Sequence, residues 1–70
     1  MDNEVWYFTF GIGHPLKDKI QPVRGSYRQA RQTMFAIYER NWCSQYGPEE
    51  AQELITKYHY QPLPEVQANV

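Results

Sequence analysis

Residues 4–10 read Glu4-Val5-Trp6-Tyr7-Phe8-Thr9-Phe10, and the rest of the fold can be worked out from this stretch. From Val5 onward every residue is β-branched or aromatic, the composition of a strand. At a period of two, Trp6, Phe8 and Phe10 fall on one face and Val5, Tyr7 and Thr9 on the other. Gly11-Ile12-Gly13-His14-Pro15 closes the strand, because two glycines and a proline in five residues make strong loop punctuation. Residues 17–24 form a second, more polar strand with Ile20 and Val23 as its apolar contacts. Pro22 cannot donate to a ladder, so this strand is expected at a sheet edge or with a break. A hairpin with the first strand is the simplest pairing.

Ser26 is a good N-cap, and Gln29 three residues later completes a capping box, so a helix is expected over 27–40. Tyr27, Ala30, Met34, Ile37 and Tyr38 mark its inner face, Phe35 lies at the margin, and Asn41 is the expected stop. Residues 42–46, aromatic at both ends, read as a third strand returning beside the first. Pro48 suits the first turn of a second helix over 48–58, and Glu49 and Glu50 complement its dipole. Ala51, Leu54, Ile55 and Tyr58 are expected to face inward there. Pro62 and Pro64 keep the following stretch extended. The expectation is an α+β domain over residues 1–66 in the order ββαβα, with a three-stranded antiparallel sheet and two helices. The first helix should cross Trp6, Phe8 and Phe10, and residues 67–70 should form a flexible C-terminal tail.

With 70 residues, 41% hydrophobic and 21% charged, the chain has the composition of a single folded domain, not a disordered segment or a coiled coil. Eleven aromatic residues, 16% of the total, give it large side chains with which to reach net stability at this length. Trp6, Phe8, Phe10, Phe35, Trp42 and Tyr46 are the candidates for that role. A chain this short leaves little room for a deep catalytic cleft. No run is long and apolar enough to span a membrane, and the N-terminus has no secretory pattern. A single cysteine, Cys43, points to a reducing compartment.

Charge is distributed unevenly. Residues 14–40 carry Lys17, Lys19, Arg24, Arg28, Arg31 and Arg40 against Asp18 and Glu39, a balance of +4, whereas residues 41–70 carry Lys57 against Glu49, Glu50, Glu53 and Glu65, a balance of −3. Residues 1–13 add −2 through Asp2 and Glu4, so the total of −1 hides a dipolar layout. One consequence would be a nucleic-acid face built from Arg24, Arg28 and Arg31 with Lys17 and Lys19 nearby, although a sequence pI of about 6.0 is low for phosphate-driven binding.

The chemical motifs are weak. Gly11-Ile12-Gly13-His14 lacks the third glycine of a dinucleotide loop and the Gly-Lys-Ser/Thr ending of a P-loop, so no cofactor is expected. Two histidines and one cysteine far apart match no zinc spacing, so no metal is expected. Cys43 with His14 or His59 would be the only nucleophile–base pairing, and nothing local supports it. No catalytic residue is assigned, and the chain reads as a non-enzyme. Six tyrosines are more than a domain this small can easily bury. Tyr7, Tyr58 and Tyr60, together with Arg24, Arg28 and Arg31, are therefore the expected partner-contacting residues, toward another protein or a second copy of the chain.

The strand Tyr7-Phe8-Thr9-Phe10-Gly11-x-Gly13, the helix segment Ala30-Arg31…Met34-Phe35 and the segment Trp42…Gln45-Tyr46 together resemble a set of short bacteriophage and prophage proteins. The likeness spans about residues 6–46 and rests on core aromatics and turn glycines, so it implies a shared fold more than a shared activity. It implies a viral or mobile-element origin and residence in the cytoplasm of a bacterial host. It also implies an accessory protein that binds and modulates a bacterial host protein, as anti-CRISPR and other anti-defence inhibitors do. A small nucleic-acid-binding protein using the basic face of the first helix is the alternative.

Overall fold

The computed structural model describes residues 4–68. The strand pattern of the opening stretch produces β1 (Val5–Thr9), which pairs antiparallel with β2 (Lys19–Arg24), placing Trp6 opposite Val23 and Phe8 opposite Gln21. Residues 10–18 link them through successive turns, closed by backbone bonds from His14 to Gly11 and from Lys17 to His14. α1 (Tyr27–Tyr38) follows, then β3 (Gln45–Tyr46), which returns antiparallel to β1, and α2 (Pro48–Tyr58). The first five elements follow the expected order, but the sheet is not the three-stranded antiparallel one expected: the third strand spans two residues and not 42–46, and two short strands follow α2. β4 (Gln61–Pro62) and β5 (Val66–Gln67) both run parallel to β2. The fold is α+β with two helices and a mixed five-stranded sheet in the order β3-β1-β2-β4, with β5 also on β2.

β2 is therefore central, so of the two expectations drawn from Pro22, an edge position or a break, the edge is wrong and the break is found in the ladder to β4 and β5. The reason lies in how the ladder is divided. The register puts Pro22 opposite Tyr7 and between the two parallel segments, which meet β2 at Lys19–Ile20 and at Val23–Arg24. Its missing N–H thus falls where the chain at Leu63-Pro64-Glu65 arches away, and no ladder bond is lost. The side chain of Gln21 fills that arch. It is 3% exposed and its Nε2 donates to the carbonyls of Pro22 (2.9 Å) and Pro64 (2.8 Å), while its Oε1 accepts from Tyr38 Oη at 3.0 Å. Both donor hydrogens of the buried amide are used.

Both crossovers, β2–α1–β3 and β3–α2–β4, join strands that point the same way, and they travel across the sheet in opposite directions. The right-handed preference of such connections then sets the helices on opposite faces. On one face Phe8, Phe10 and Val23 bury against Ala30 and Met34 of α1, with Trp6, Tyr38, Trp42 and Leu63 around them. The other face carries Thr9, Ile20 and Pro22, all buried, and α2 packs on β1 and β3 with Ala51 fully enclosed.

The capping box forms as read: Ser26 Oγ accepts from Gln29 N and Gln29 Oε1 from Ser26 N, both at 3.1 Å. α1 ends earlier than Asn41. Glu39 takes positive φ (58°) while its N–H still donates to Phe35, and the chain turns so that Trp42 can pack edge-on against Phe8 and Phe35, at 5.1 and 5.2 Å. Packing of one indole overrides the helical pattern of the last residues. The inner face of α1 is also narrower than the spacing implied: Tyr27 and Ile37 are half exposed, and Phe35 is exposed instead of joining the core. Tyr58 of α2 likewise points outward. The tail expected from residue 67 is ordered at its start, since Gln67 belongs to β5 and the Ala68 N–H donates to the Arg24 carbonyl at 2.8 Å. Asn69 and Val70 lie outside the described residues.

Candidate functional site

Outside the core, α1 carries Tyr27, Arg31 and Phe35 at four-residue spacing, a row that faces the segment leading into β3. That segment, Trp42 to Gln45, forms the other wall of an open groove of about 430 Å³, lined by Tyr27, Arg31, Phe35, Arg40, Trp42, Cys43, Ser44 and Gln45. Arg31 is held in it. Its guanidinium carbon lies 5.1 Å from the Trp42 ring centre and 5.7 Å from that of Tyr27, within cation–π range of both. Its Nη1 donates to Gln45 Oε1 at 3.1 Å, and Gln45 is fixed in turn by donating from Nε2 to the Tyr27 carbonyl at 3.2 Å.

A second opening of about 390 Å³ shares Arg40, Trp42 and Cys43 with the first and is lined also by Gly11, Gly13, His14 and Asn41. It brings His14 and Cys43 to one cleft, and Cys43 is exposed there, ahead of β3 and not within a strand. The histidine is committed elsewhere. His14 Nδ1 accepts from the Leu16 N–H at 3.0 Å, and its ring lies 4.7 Å from that of Phe10. The neutral ring must then carry its proton on Nε2, where it donates and cannot take a proton from a thiol. Cys43 Sγ instead accepts from Ser44 Oγ at 3.6 Å.

The six residues expected to contact a partner are not brought together. Arg28 and Arg31 are on α1, but Arg24 closes β2 with its side chain on the opposite sheet face. Arg24 pairs with Glu65 at 2.8 Å, a bond that raises its already high pKa. Tyr7 is half-buried in mid-sheet between Pro22 and Tyr46, and is not a surface ring. Tyr58 is 59% exposed at the end of α2, and Tyr60 is half-buried beyond it. The expected basic face is similarly divided: Lys19 and Arg24 stand at opposite ends and on opposite faces of β2, and Lys19 hydrogen-bonds Gln61. Of the expected set, only Arg31 lies in a groove with aromatic walls. Phe35, Arg40 and Gln45 were missed as its neighbours. The four-residue spacing of Tyr27, Arg31 and Phe35 was the signal that could have found the first of them.

No helix among the described residues is long and apolar enough to cross a membrane, and none of their His, Cys, Asp and Glu side chains cluster as a metal site would need. No protein-family model, curated protein or solved structure matches the chain.

Proposed function

We propose that this chain is a non-enzymatic binding protein that grips a bacterial host protein through the groove between α1 and the segment entering β3, and modulates it. The observation that carries this reading is the pair of exposed rings, Tyr27 at 50% and Phe35 at 45%, standing beside a guanidinium already held in place. Large apolar side chains flanking a fixed arginine are the composition of interface centres. One opening is walled by α1 and the segment entering β3, the other by the turns after β1 and the segment after α1, and the one histidine in them has its Nδ1 taken by the Leu16 N–H, which favours binding over catalysis.

The phage resemblance supplies the expected setting, a host protein in a bacterial cytoplasm, and the test is made there. The tagged chain and a Phe35→Ser variant are passed through bacterial lysate at several salt concentrations. The reading expects one polypeptide recovered in stoichiometric amount with the native chain and lost with the variant, whose circular dichroism is unchanged. Recovery of no stoichiometric partner at any salt concentration, or equal recovery by both chains, overturns it.

A further inference from the structure

Arg28, Arg31 and Arg40 lie on or beside α1, and among the described residues none of them pairs with a carboxylate; the ion pair formed there is Arg24–Glu65. In a chain of net charge −1 with three glutamates on α2, this is an unneutralised local positive site. Arg31 has the geometry to use it. Its Nη1 is taken by Gln45 and approaches Tyr27 Oη at 3.5 Å, which leaves Nε and Nη2 without an acceptor among the described residues. Those two N–H groups form the side-on fork that receives both oxygens of a carboxylate. The stacking on Trp42 and the bond donated to Gln45 fix the fork before anything binds, so little side-chain entropy remains to be lost on binding. Arg40 lines the same groove across Trp42, and the exposed Phe35 ring lies beside it.

We infer that the groove is a receptor for an acidic segment of the protein partner, in which one carboxylate seats on the Arg31 fork and a neighbouring apolar side chain covers Phe35. This rests on the binding reading above and names the chemistry of its partner. Charge complementarity selects the occupant. A groove of about 430 Å³ with one prepared fork suits a single acidic side chain and its neighbour. A nucleic-acid strand would need a row of phosphate contacts, and here the cations beyond the groove are divided between faces.

The test is an NMR titration of the whole ¹⁵N-labelled chain with a capped peptide containing Glu-Leu, with the same peptide carrying Gln-Leu, and with a short oligothymidine strand. The glutamate peptide is expected to shift the Trp42 indole N–H and the Ser44 and Gln45 amides, and to bind about tenfold more tightly than the glutamine peptide. Arg31→Lys, which keeps the charge and removes the fork, should weaken binding about tenfold. Arg40→Gln is the second variant should Arg31→Lys disturb the fold, and Arg28→Gln, outside the groove, should change binding less than roughly twofold. The inference fails if no shift occurs up to the solubility of the peptide, if both peptides bind alike, or if the oligonucleotide binds more tightly at the same residues. It also fails if the chain self-associates through the glutamates of α2 and the peptide does not compete, because a second copy is then the occupant. Continued capture of a Phe35-dependent partner alongside any of these outcomes would sink the acidic-segment inference alone and leave the binding reading standing.

Discussion

Gln21 is the residue on which the two halves of the chain converge. Its amide joins β2 to the arch at Pro64 and to Tyr38 at the end of α1, elements that lie far apart in sequence. A buried group with three partners is costly to remove, because each partner left behind is also desolvated. Gln21→Met, similar in volume and without the amide, should lower stability by about 1–3 kcal/mol in denaturant unfolding. Tyr38→Phe should then cost almost nothing further when added to Gln21→Met, since the shared bond is already gone. Tyr38 also carries a pH dependence. Burial raises its phenol pKa above the ordinary value of about 10, because the phenolate would be poorly solvated. Its contribution to stability is therefore fully present below about pH 10 and is lost as pH rises through the folded value. The Tyr38→Phe variant should show a shallower alkaline loss of the unfolding midpoint than the native chain.

At the level of elements, much of the architecture could be read because local signals and tertiary packing agreed. The capping box started α1 where Ser26 and Gln29 placed it, Pro48 began α2, and the alternating rings of β1 sent Phe8 and Phe10 into the core. The failures came where a distant contact outweighed a local rule. Pro22 marked β2 as an edge or as broken, and the strand is central because the ladder breaks instead at the arch of Leu63-Pro64-Glu65, which removes the need for its N–H. Pro62 and Pro64 marked the C-terminal stretch as extended without assigning it a strand, and two-residue strands on either side of the arch pair it with β2. The candidate groove was legible only through Arg31, since its other wall exists because Trp42 breaks the helix to reach Phe8. The junction between β2 and α1 depends on Gly25, which holds φ 151°, and a Cβ there would stand 2.8 Å from Ala68 Cβ. Gly25→Ala should destabilise the fold by about 1–3 kcal/mol. Adding Ala68→Gly should recover the part due to the clash and leave the part due to backbone strain, which two thermal unfolding curves would separate.

For the whole molecule, the segment after α2 acts as the second side wall of the sheet. Without it β2 would expose a free edge along a strand whose Ile20 and Val23 are fully buried, and Leu63 and Ala68 would leave the core. A chain cut after Tyr60 is therefore expected to lose cooperative unfolding in circular dichroism and to aggregate in gel filtration, while the Arg24–Glu65 pair alone, being exposed, should be replaceable by Gln at either position with little loss. Retention of a sharp transition by the shortened chain would show that β1, β2, β3 and the helices stand without the strap. The same arrangement constrains synthesis. The strand at the heart of the sheet leaves the ribosome well before β4 and β5 do, with both helices made in between. Throughout that interval the nascent polypeptide offers an open hydrogen-bonding rim, and its maturation waits on the two shortest pieces of the sheet.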